Sequence, residues 1–412
     1  MNSLFTEILI VGGGAAGMAA AVAASGNTSV TIIDDNPQLG GQIWRAELGK
    51  SKRPEARQLT AEIASGNIEV FNNAQVYGAG EDQNLLAEIT NDSVEIHFEK
   101  LIIATGARER FLPFPGWTLP NVFGAGGLQA LVKGGLTIKN KRVLVAGTGP
   151  LLLAVADYLK AKGADIVAIA EQAPSSRINR FAFGLWRSPS KAVQGIALRS
   201  RLLGTKYLTD SWVVSASGKN RLEQVELMRK GKRWKVDCDY LACGFHLVPN
   251  TELAEMLGCT LNYGFVAVND YQQTSRDNVY CAGEPTGIAG IESSLVEGTI
   301  AGLAATGRKK EALRFFDTRD KTNRFGDSLN SAFALRDELR ALPIPDTIVC
   351  RCEDVEYDRL TRFGNFRDAK LQTRCGMGPC QGRVCGAATE FLFGWKRDAV
   401  RPPIFPVKME NL

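Results

Sequence analysis

The chain has few side chains suited to acid–base catalysis. Its 412 residues include only two histidines, His97 and His246. His97 alternates with apolar neighbours in a predicted strand, which is typical of a solvent-facing position. His246 lies in a predicted loop before Pro249. Because neither position indicates catalysis, we predict that the chain moves electrons and that substrate chemistry takes place elsewhere.

Other classes of protein are excluded by what is absent. No apolar run reaches the roughly 18 residues that a membrane span needs, and Glu7 interrupts the N-terminus where a signal peptide would lie. The net charge of +5 is spread among acids over most of the chain, so we predict no nucleic-acid binding. Nine cysteines, an odd number, favour reduced thiols over disulfides. We therefore expect a cytoplasmic protein.

Five of those cysteines crowd the end of the chain. They follow the pattern Cys-Arg-Cys and then Cys-Gly-Met-Gly-Pro-Cys-Gln-Gly-Arg-Val-Cys, at Cys350, Cys352, Cys375, Cys380 and Cys385. Four soft sulfur donors that converge on one point can hold an iron–sulfur cluster or zinc. The glycines of the second group would let the backbone curl close to the metal. The pattern predicts a metal centre, with zinc as the chemical alternative to iron.

The N-terminus carries a dinucleotide-binding pattern. A buried strand from Glu7 leads into Gly12, Gly14 and Gly17 and then a helix of small residues that begins at Ala15 and Ala16. Gly12 would permit the turn, Gly14 the approach of the pyrophosphate, and Gly17 close packing of helix on strand. The phosphates would sit on the helix N-terminus. A second strand ends in Asp34 and Asp35, where an acid for the ribose hydroxyls is expected.

A second, weaker copy of this pattern follows. A strand from Lys141 leads to Gly147 and Gly149, and the next strand ends in Glu171. Leu152 stands where the third glycine would be, and a branched side chain there keeps helix and strand apart. We predict a retained scaffold and no NAD, with NADH or another adenine nucleotide as the less favoured interpretation.

A basic segment lies within this second half. Residues 177–206 carry cations but no Asp or Glu, and Phe181, Phe183, Leu185 and Trp186 lie among them. Exposed aromatics beside arginine are typical of interfaces. A subunit interface is favoured over a solvated loop and helix or an anion pocket.

Residues 7 to about 305 resemble the two-dinucleotide-domain, glutathione-reductase-like flavoproteins. The resemblance rests on the N-terminal pattern, on Gly40-Gly41-Gln42, on the strand ending Ala104-Thr105-Gly106, and on Cys281-Ala282-Gly283-Glu284. It implies FAD, with Gly283 and Glu284 at the ribityl and pyrophosphate and Thr105 and Gly106 at the adenine-side crossover. The cysteine pair of the disulfide-reducing members is absent after Gln42. The full predicted cofactor set is Gly12, Gly14, Ala15, Ala16, Gly17, Asp34, Asp35, Gly41, Gln42, Ala104, Thr105, Gly106, Gly147, Gly149, Gly283 and Glu284.

The cysteine-rich end resembles the bacterioferritin-associated-ferredoxin-like 2Fe–2S domain, in the form fused to flavoprotein subunits. The resemblance implies a 2Fe–2S cluster with Cys350, Cys352, Cys380 and Cys385 as ligands and Cys375 as a spare. Cys375 with Cys380 is the alternative closing pair, because the final spacing here is Cys-x4-Cys.

The chain as a whole resembles the alpha (A) subunits of heteromeric amino-acid dehydrogenases, which include opine oxidases, D-hydroxyproline and proline dehydrogenases, and hydrogen cyanide synthase. The resemblance implies a partner beta subunit of the D-amino-acid-oxidase type that binds its own FAD and oxidises a C–N bond. It also implies FMN at a subunit boundary, a small ferredoxin-like gamma subunit, and a respiratory electron acceptor at the inner membrane face. The alternatives are a self-contained NADH-dependent ferredoxin-type reductase and a non-enzymatic iron–sulfur docking module.

The predicted fold is α/β. It comprises two dinucleotide-binding, glutathione-reductase-like domains and a small C-terminal ferredoxin-like 2Fe–2S domain. The predicted boundaries are 1–135 and 251–310 for the two parts of the FAD domain, 136–250 for the NAD(P)-like domain, 311–345 for a helical linker and 346–412 for the 2Fe–2S domain.

Overall fold

The computed structural model describes residues 2–44, 53–80, 84–187, 189–397 and 399–411. The strands are β1 Asn2–Val11, β2 Val30–Asp34, β3 Ile68–Asn72, β4 Ala74–Ala79, β5 Asn84–Ile89, β6 Asp92–Ile103, β7 Ala107–Glu109, β8 Val122–Gly124, β9 Arg142–Thr148, β10 Asp165–Glu171, β11 Lys206–Leu208, β12 Ser211–Ser217, β13 Gln224–Arg229, β14 Lys232–Asp237, β15 Tyr240–Phe245, β16 Leu247–Pro249, β17 Leu261–Asn262, β18 Phe265–Val266, β19 Val279–Cys281, β20 Ile348–Cys350 and β21 Val355–Glu356. The α-helices are α1 Ala15–Ala24, α2 Gly41–Trp44, α3 Pro54–Ser65, α4 Ala125–Lys133, α5 Leu151–Ala161, α6 Ser175–Gly184, α7 Pro189–Arg201, α8 Glu252–Met256, α9 Ile291–Ala305, α10 Lys309–Ala312, α11 Phe316–Ala332, α12 Tyr357–Leu360, α13 Phe366–Thr373 and α14 Cys385–Phe393.

These elements group into two compact units. The first comprises residues 1–108, 249–327 and 399–412, and the second comprises 109–248 and 328–398. The five-part division predicted from the sequence is finer than this grouping.

The first unit is built on a sheet that is parallel on one side. Within the described residues its strand order is β3-β2-β1-β6-β5-β4, and β19 also pairs with β6. Strands β1, β2, β3, β6 and β19 are paired in parallel, while β4 and β5 form an antiparallel extension. Apolar side chains are buried on both faces of the sheet, because Ile10 joins one core cluster and Leu9 the other. Burial on both faces explains the continuous apolar runs that predicted these strands.

Helices α1 and α9 approach each other closely over this sheet. A Cβ at Gly298 would overlap the backbone oxygen of Ala16, and one at Gly302 would overlap that of Ala20. Small residues on both helices therefore fix how near α9 lies to the first glycine turn.

Replacing Gly298 by valine is expected to destabilise the first unit. Overpacking of a tight contact costs on the order of 3 kcal/mol in the free energy of unfolding, and here the obstacle is backbone. Thermal unfolding followed by circular dichroism measures the loss. Gly364→Val is the matched control, since no atom lies within 4 Å of a Cβ built there. Equal melting temperatures for the two variants would contradict the packing argument.

The second unit repeats the parallel plan. Its sheet has the order β11-β10-β9-β15-β8 in the described residues, and all these pairings are parallel. An antiparallel sheet, β12-β13-β14, accompanies it. Leu144 and Val145 of β9 are fully buried in clusters on opposite faces. The sequence correctly predicted a second nucleotide-binding fold here.

The cysteine-rich end shares the core of the second unit. Leu339, Leu342 and Phe391 belong to the same buried cluster as Trp212 and Leu241 of the nucleotide-type fold. The indole nitrogen of Trp117 also donates a hydrogen bond of 2.6 Å to the carbonyl of Ile348. The module therefore packs on the second fold, although the sequence predicted a separate domain after a linker.

The last residues return to the first unit. The backbone N–H of Ile404 donates to the carbonyl of Tyr77 at 2.7 Å, and the Tyr77 hydroxyl donates to the carbonyl of Asn411 at 2.7 Å. Residues 399–411 thus pack within the first unit, although the sequence grouped them with the cysteine module.

Candidate functional site

The first glycine turn has the geometry of a dinucleotide site. Gly12 has φ +109°, and a Cβ there would overlap the carbonyl of Ala104. A Cβ at Gly17 would overlap the carbonyl oxygen of Gly12, so α1 needs glycine there to pack on the turn. No side chain caps the N-terminus of α1, which begins at Ala15 with Gly14 as its N-cap. Its first N–H groups are thus placed to receive an anion.

Packing within the chain does not explain why residue 14 is a glycine. Its φ of −76° suits any residue, and the nearest atom to a Cβ built there is the Cα of Gly41, 3.9 Å away. Since neither backbone conformation nor crowding within the chain requires glycine at this position, space for a ligand is the remaining physical reason.

The two predicted ribose acids differ in position. Asp34 ends β2, is buried, and accepts hydrogen bonds from the backbone N–H of Gly13 at 2.5 Å and of Asn36 at 2.8 Å. Asp35 is exposed and accepts from the side-chain amide of Asn36 at 2.6 Å. Asp34 is therefore the acid that faces the glycine turn.

The second flavin-type segment is held by a glutamate that sequence reasoning missed. Glu297 of α9 accepts hydrogen bonds from the Gly283 N–H at 2.9 Å and the Thr286 hydroxyl at 2.8 Å. Gly283 has φ +83°, and a Cβ there would lie 2.9 Å from the Cβ of Ala16. The signal in the sequence was an acid within a helix of small and apolar residues, since Glu297 stands between Val296 and Gly298.

One oxygen of Glu284 has no hydrogen-bond partner among the residues that the structure describes. Its Oε1 accepts from the Gly290 N–H at 3.2 Å, while its buried Oε2 has no partner in that part of the chain. Burial raises the pKa of Glu284 to about 7, and the neighbouring Glu297 adds to the rise. A buried polar atom without a partner is costly unless a ligand or solvent supplies one. The segment therefore suits a hydroxyl-rich ligand.

The remaining predicted residues lie at the edges of this site. The Thr105 hydroxyl donates to the carbonyl of Asn250 at 2.7 Å, and the Asn250 amide donates back to the Thr105 carbonyl at 2.8 Å. Gly106 has φ +67° and open space around it. Gly41 opens α2 with φ +56°, and Gln42 is exposed. Thr105 thus ties the chain crossover to Asn250, which the sequence did not single out.

The second glycine turn binds its own acid. Gly147 and Gly149 have φ of +131° and +92°. Glu171 is fully buried and accepts from the Gly149 N–H at 2.7 Å, the Ala173 N–H at 2.8 Å and the Thr148 hydroxyl at 3.0 Å. Burial raises its pKa to about 7 although these hydrogen bonds oppose the rise.

Residues 333–336 cover the carboxyl edge of this second fold. The carbonyl oxygen of Phe333 lies 2.9 Å from the Thr148 hydroxyl oxygen and 3.0 Å from Nε2 of His246. The backbone N–H of Arg336 donates to the side-chain oxygen of Gln172 at 3.2 Å. Nucleotides bind outside the carboxyl ends of such strands. In this protein, residues 333–336 lie at that edge of the sheet.

Arg336 anchors that covering segment. Its guanidinium lies 3.7 Å from the centre of the Trp212 ring and pairs with Asp210 at 2.8 Å. Phe333 is buried in a small cluster with Ala173 and Ala332. Both ends of the segment are therefore held by the second fold.

Three cysteine sulfurs converge in the C-terminal module. The Sγ atoms of Cys350, Cys375 and Cys385 all lie within 4.8 Å of one another, and all three residues are buried. The pKa of Cys350 is lowered to about 2, chiefly because the thiols of Cys375 and Cys385 donate hydrogen bonds to its sulfur, helped by the N–H groups of Gly376 and Glu353. Three sulfurs in mutual contact, with backbone donors aimed at one of them, fit an iron–sulfur or zinc centre.

The other two cysteines form a second pair beside this group. Cys352 is exposed and Cys380 is half-buried. The Cys380 N–H donates to the Cys352 sulfur, and the two thiols also interact with each other. A Cβ at Gly378 would overlap the Cβ of Cys352, so the glycine-rich loop needs glycine at this position to pack against Cys352. Of the four predicted ligands, Cys350 and Cys385 lie in the buried group of three together with the predicted spare, Cys375, while Cys352 and Cys380 form the second pair.

A comparison with known proteins identifies the family of the chain. A family model described as pyridine nucleotide-disulphide oxidoreductase matches residues 6–300. The chain belongs to this family. It is an oxidoreductase family that binds FAD.

Nearly full-length relatives are components of larger enzymes. The chain is 30% identical to hydrogen cyanide synthase subunit HcnB of Pseudomonas aeruginosa, over 97% of this chain and 96% of that protein. It is 28% identical to the opine oxidase A-type subunit of Rhizobium meliloti, over 99% of this chain and 87% of that protein. The resemblance stated from the sequence is confirmed, and such relatives imply a heteromeric complex.

One solved structure shares the fold over the whole chain. The crystal structure of L-proline dehydrogenase from P. horikoshii superposes with a TM-score of 0.72 at 19% identity, covering 100% of this chain and 80% of that chain. Among the residues described, we find no helix long and apolar enough to span a bilayer.

Proposed function

We propose that the chain is the electron-transferring flavoprotein and iron–sulfur subunit of a heteromeric, NAD-independent amino-acid dehydrogenase. In this proposal a partner flavoprotein of the D-amino-acid-oxidase type oxidises a C–N bond of an opine, D-hydroxyproline, proline or related amine. The relatives named as subunits of hydrogen cyanide synthase and opine oxidase support the assignment.

The convergence of Cys350, Cys375 and Cys385 carries the proposal. Buried thiols gathered in this way serve a metal, because structural cysteines are inert and need no sulfur neighbours. The chain otherwise offers a flavin-type turn, no redox disulfide and few proton-transfer groups. A one-electron centre complements a two-electron flavin, whereas zinc would add no redox chemistry.

The first unit holds the residues that would bind FAD. The N-terminus of α1 with Gly14 would receive the pyrophosphate, Asp34 the adenosine ribose, and Glu284 the ribityl hydroxyls. When bound, FAD would supply the ability to accept electrons in pairs and release them singly. Glu297 would hold the Gly283 backbone in place for that contact.

For the 2Fe–2S cluster we propose Cys350 and Cys385 as ligands. Both belong to the predicted set and to the buried group of three. The other two ligands would come from Cys352, Cys380 and Cys375. The Gly376 and Glu353 N–H groups would stabilise the Cys350 thiolate, which a metal requires in its deprotonated form.

NADH is not expected to reduce this protein's flavin. The carboxyl edge where its adenosine would bind is occupied by the Phe333 carbonyl and its partners Thr148 and Gln172. Anaerobic mixing with NADH should leave the flavin absorbance at about 450 nm unchanged, while dithionite bleaches it. Stoichiometric bleaching by NADH would instead select the self-contained reductase.

Co-expression with the partner tests the function directly. The chain should co-purify with a D-amino-acid-oxidase-like flavoprotein encoded beside it, and dye-linked oxidation of opines, D-hydroxyproline or proline should need both chains. Electron paramagnetic resonance of the reduced complex should show a 2Fe–2S signal. Full turnover by this chain alone, or zinc in place of iron by elemental analysis, would overturn the proposal.

A further inference from the structure

We propose that the outer face of α7, with Phe183 at the end of α6, docks the partner subunit through an apolar centre that acidic residues of the partner surround. This docking face consists of Phe183, Val193, Ile196 and Leu203. The inference rests on the proposed function, because it needs a heteromeric complex. No residue of the face belongs to the candidate sites above.

The docking face is apolar and open to solvent. Phe183 is 82% exposed, Val193 67%, Ile196 71% and Leu203 75%. Val193 and Ile196 are three residues apart on α7 and so share one side, and Leu203 lies in the turn just past the end of α7. Trp186, in the short 3-10 helix that packs on α7, is also 67% exposed.

Helix α7 is apolar on two opposite sides. Its inner side is held by Leu202 just past its end, which is fully buried, and by the half-buried Leu198. A surface helix normally has one apolar side and one polar side, and a helix that is apolar all round is normally buried. Large exposed apolar patches on soluble proteins mark interaction sites. The exposed apolar side chains on the outer side of α7 therefore indicate an interaction site.

The charge around the face indicates what covers it. Residues 177–206 carry seven cations and no Asp or Glu, and those whose side chains the structure describes are Arg177, Arg180, Lys191, Arg199, Arg201 and Lys206. A second copy of this chain on the same face would bring these cations against their equivalents, which disfavours a homodimer here. A partner surface with an apolar centre and an Asp- or Glu-rich rim would complement both the apolar side chains of the docking face and the cations around it.

A protein fits better than a lipid surface. Two cations of α7 are engaged within the chain, because Arg201 pairs with Asp157 at 3.1 Å and Arg199 lies 5.5 Å from the centre of the Tyr207 ring. Because these two cations already interact within the chain, they are less available to bind lipid headgroups. At the rim of a protein interface, a side chain can keep such a contact and still face the partner. The full-length relatives are themselves named as enzyme subunits.

The test is the affinity for the co-expressed D-amino-acid-oxidase-like subunit. The double variant Ile196→Glu with Leu203→Glu should weaken binding by about 100-fold, measured by surface plasmon resonance, because charges enter the apolar centre. Flavin and iron content should stay unchanged. The matched control is Leu371→Glu, since Leu371 is also exposed (60%) on a helix of the same unit. It should bind the partner as the unaltered chain does.

Charge reversal probes the rim separately. Arg177→Glu with Arg180→Glu should lower the association rate and weaken its dependence on salt, because both side chains are exposed and would steer an acidic partner. An unchanged rate would contradict the acidic rim.

Three results would overturn the inference. The first is a Glu double variant that binds the partner as well as Leu371→Glu does. The second is a double variant that loses only sedimentation with phosphatidylglycerol vesicles, and the third is one that converts a dimer of this chain into a monomer. If the unaltered chain holds no iron and binds no partner subunit, the proposed function itself fails. If it does both and the variants bind normally, only the docking face is wrong.

Discussion

Replacing Cys350 by serine is expected to remove the iron–sulfur cluster and, with it, electron transfer from the complex. Cys350 belongs to the predicted ligand set and contacts both other buried sulfurs. Serine is a hard, poorly ionised donor, so iron per chain and the paramagnetic resonance signal should fall more than about tenfold. Dye-linked activity that depends on the cluster should fall with them.

Two further variants make this result specific. Cys259→Ser is the control, because Cys259 is buried in the first unit and its sulfur lies 3.6 Å from the Thr274 hydroxyl, to which a serine hydroxyl can also donate. Cys352→Ser tests the second pair at its exposed member, Cys352. A full cluster in Cys350→Ser, with normal spectra, would refute the assignment of this residue as a ligand.

Replacing Gly14 by valine is expected to abolish FAD binding while the protein stays folded. The Gly14 backbone accepts any residue, and a Cβ there meets no atom closer than 3.9 Å. The added side chain would occupy the space through which a pyrophosphate reaches the α1 N-terminus. Flavin per chain, measured by absorbance after purification, should fall more than about tenfold.

The folded state must be checked beside the flavin. Circular dichroism should show an unaltered melting curve in the absence of FAD, in contrast to Gly298→Val, which overlaps backbone. Iron content should also persist, since the cysteines belong to the other unit. A flavin content equal to that of the unaltered chain would show that the first turn does not bind the pyrophosphate.

Local patterns predicted much of the fold. The turn at Gly12 and the packing position Gly17 were predicted because each requirement arises within a few residues of the glycine itself. The parallel strands were predicted because burial on both faces leaves a continuous apolar run, as in β1 and β9. The five cysteines near the C-terminal end were predicted to form one metal centre because they lie close together in the sequence.

Contacts between distant parts of the chain could not be predicted. The Glu297 carboxylate and the Gly283 N–H that it binds are 14 residues apart in the sequence. The Phe333 carbonyl and the Thr148 hydroxyl, which lie 2.9 Å apart, are separated by 185 residues. No periodicity encodes such partners, since either side chain alone is compatible with many environments. The grouping of segments also depends on such contacts, because residues 399–411 belong to the first unit and the module before them belongs to the second.

The amino-acid sequence alone determined that this protein has two nucleotide-type folds, the first with intact glycines and the second with Leu152, and a sulfur-rich end. Those features depend on which residue types occur a few positions apart, and such short-range patterns can be read directly from the sequence. Only the tertiary structure decided that Cys375 lies among the buried sulfurs and that the second fold is covered by residues 333–336. Both outcomes depend on how loops and helices far apart in the chain pack together, and packing is a property of the folded molecule.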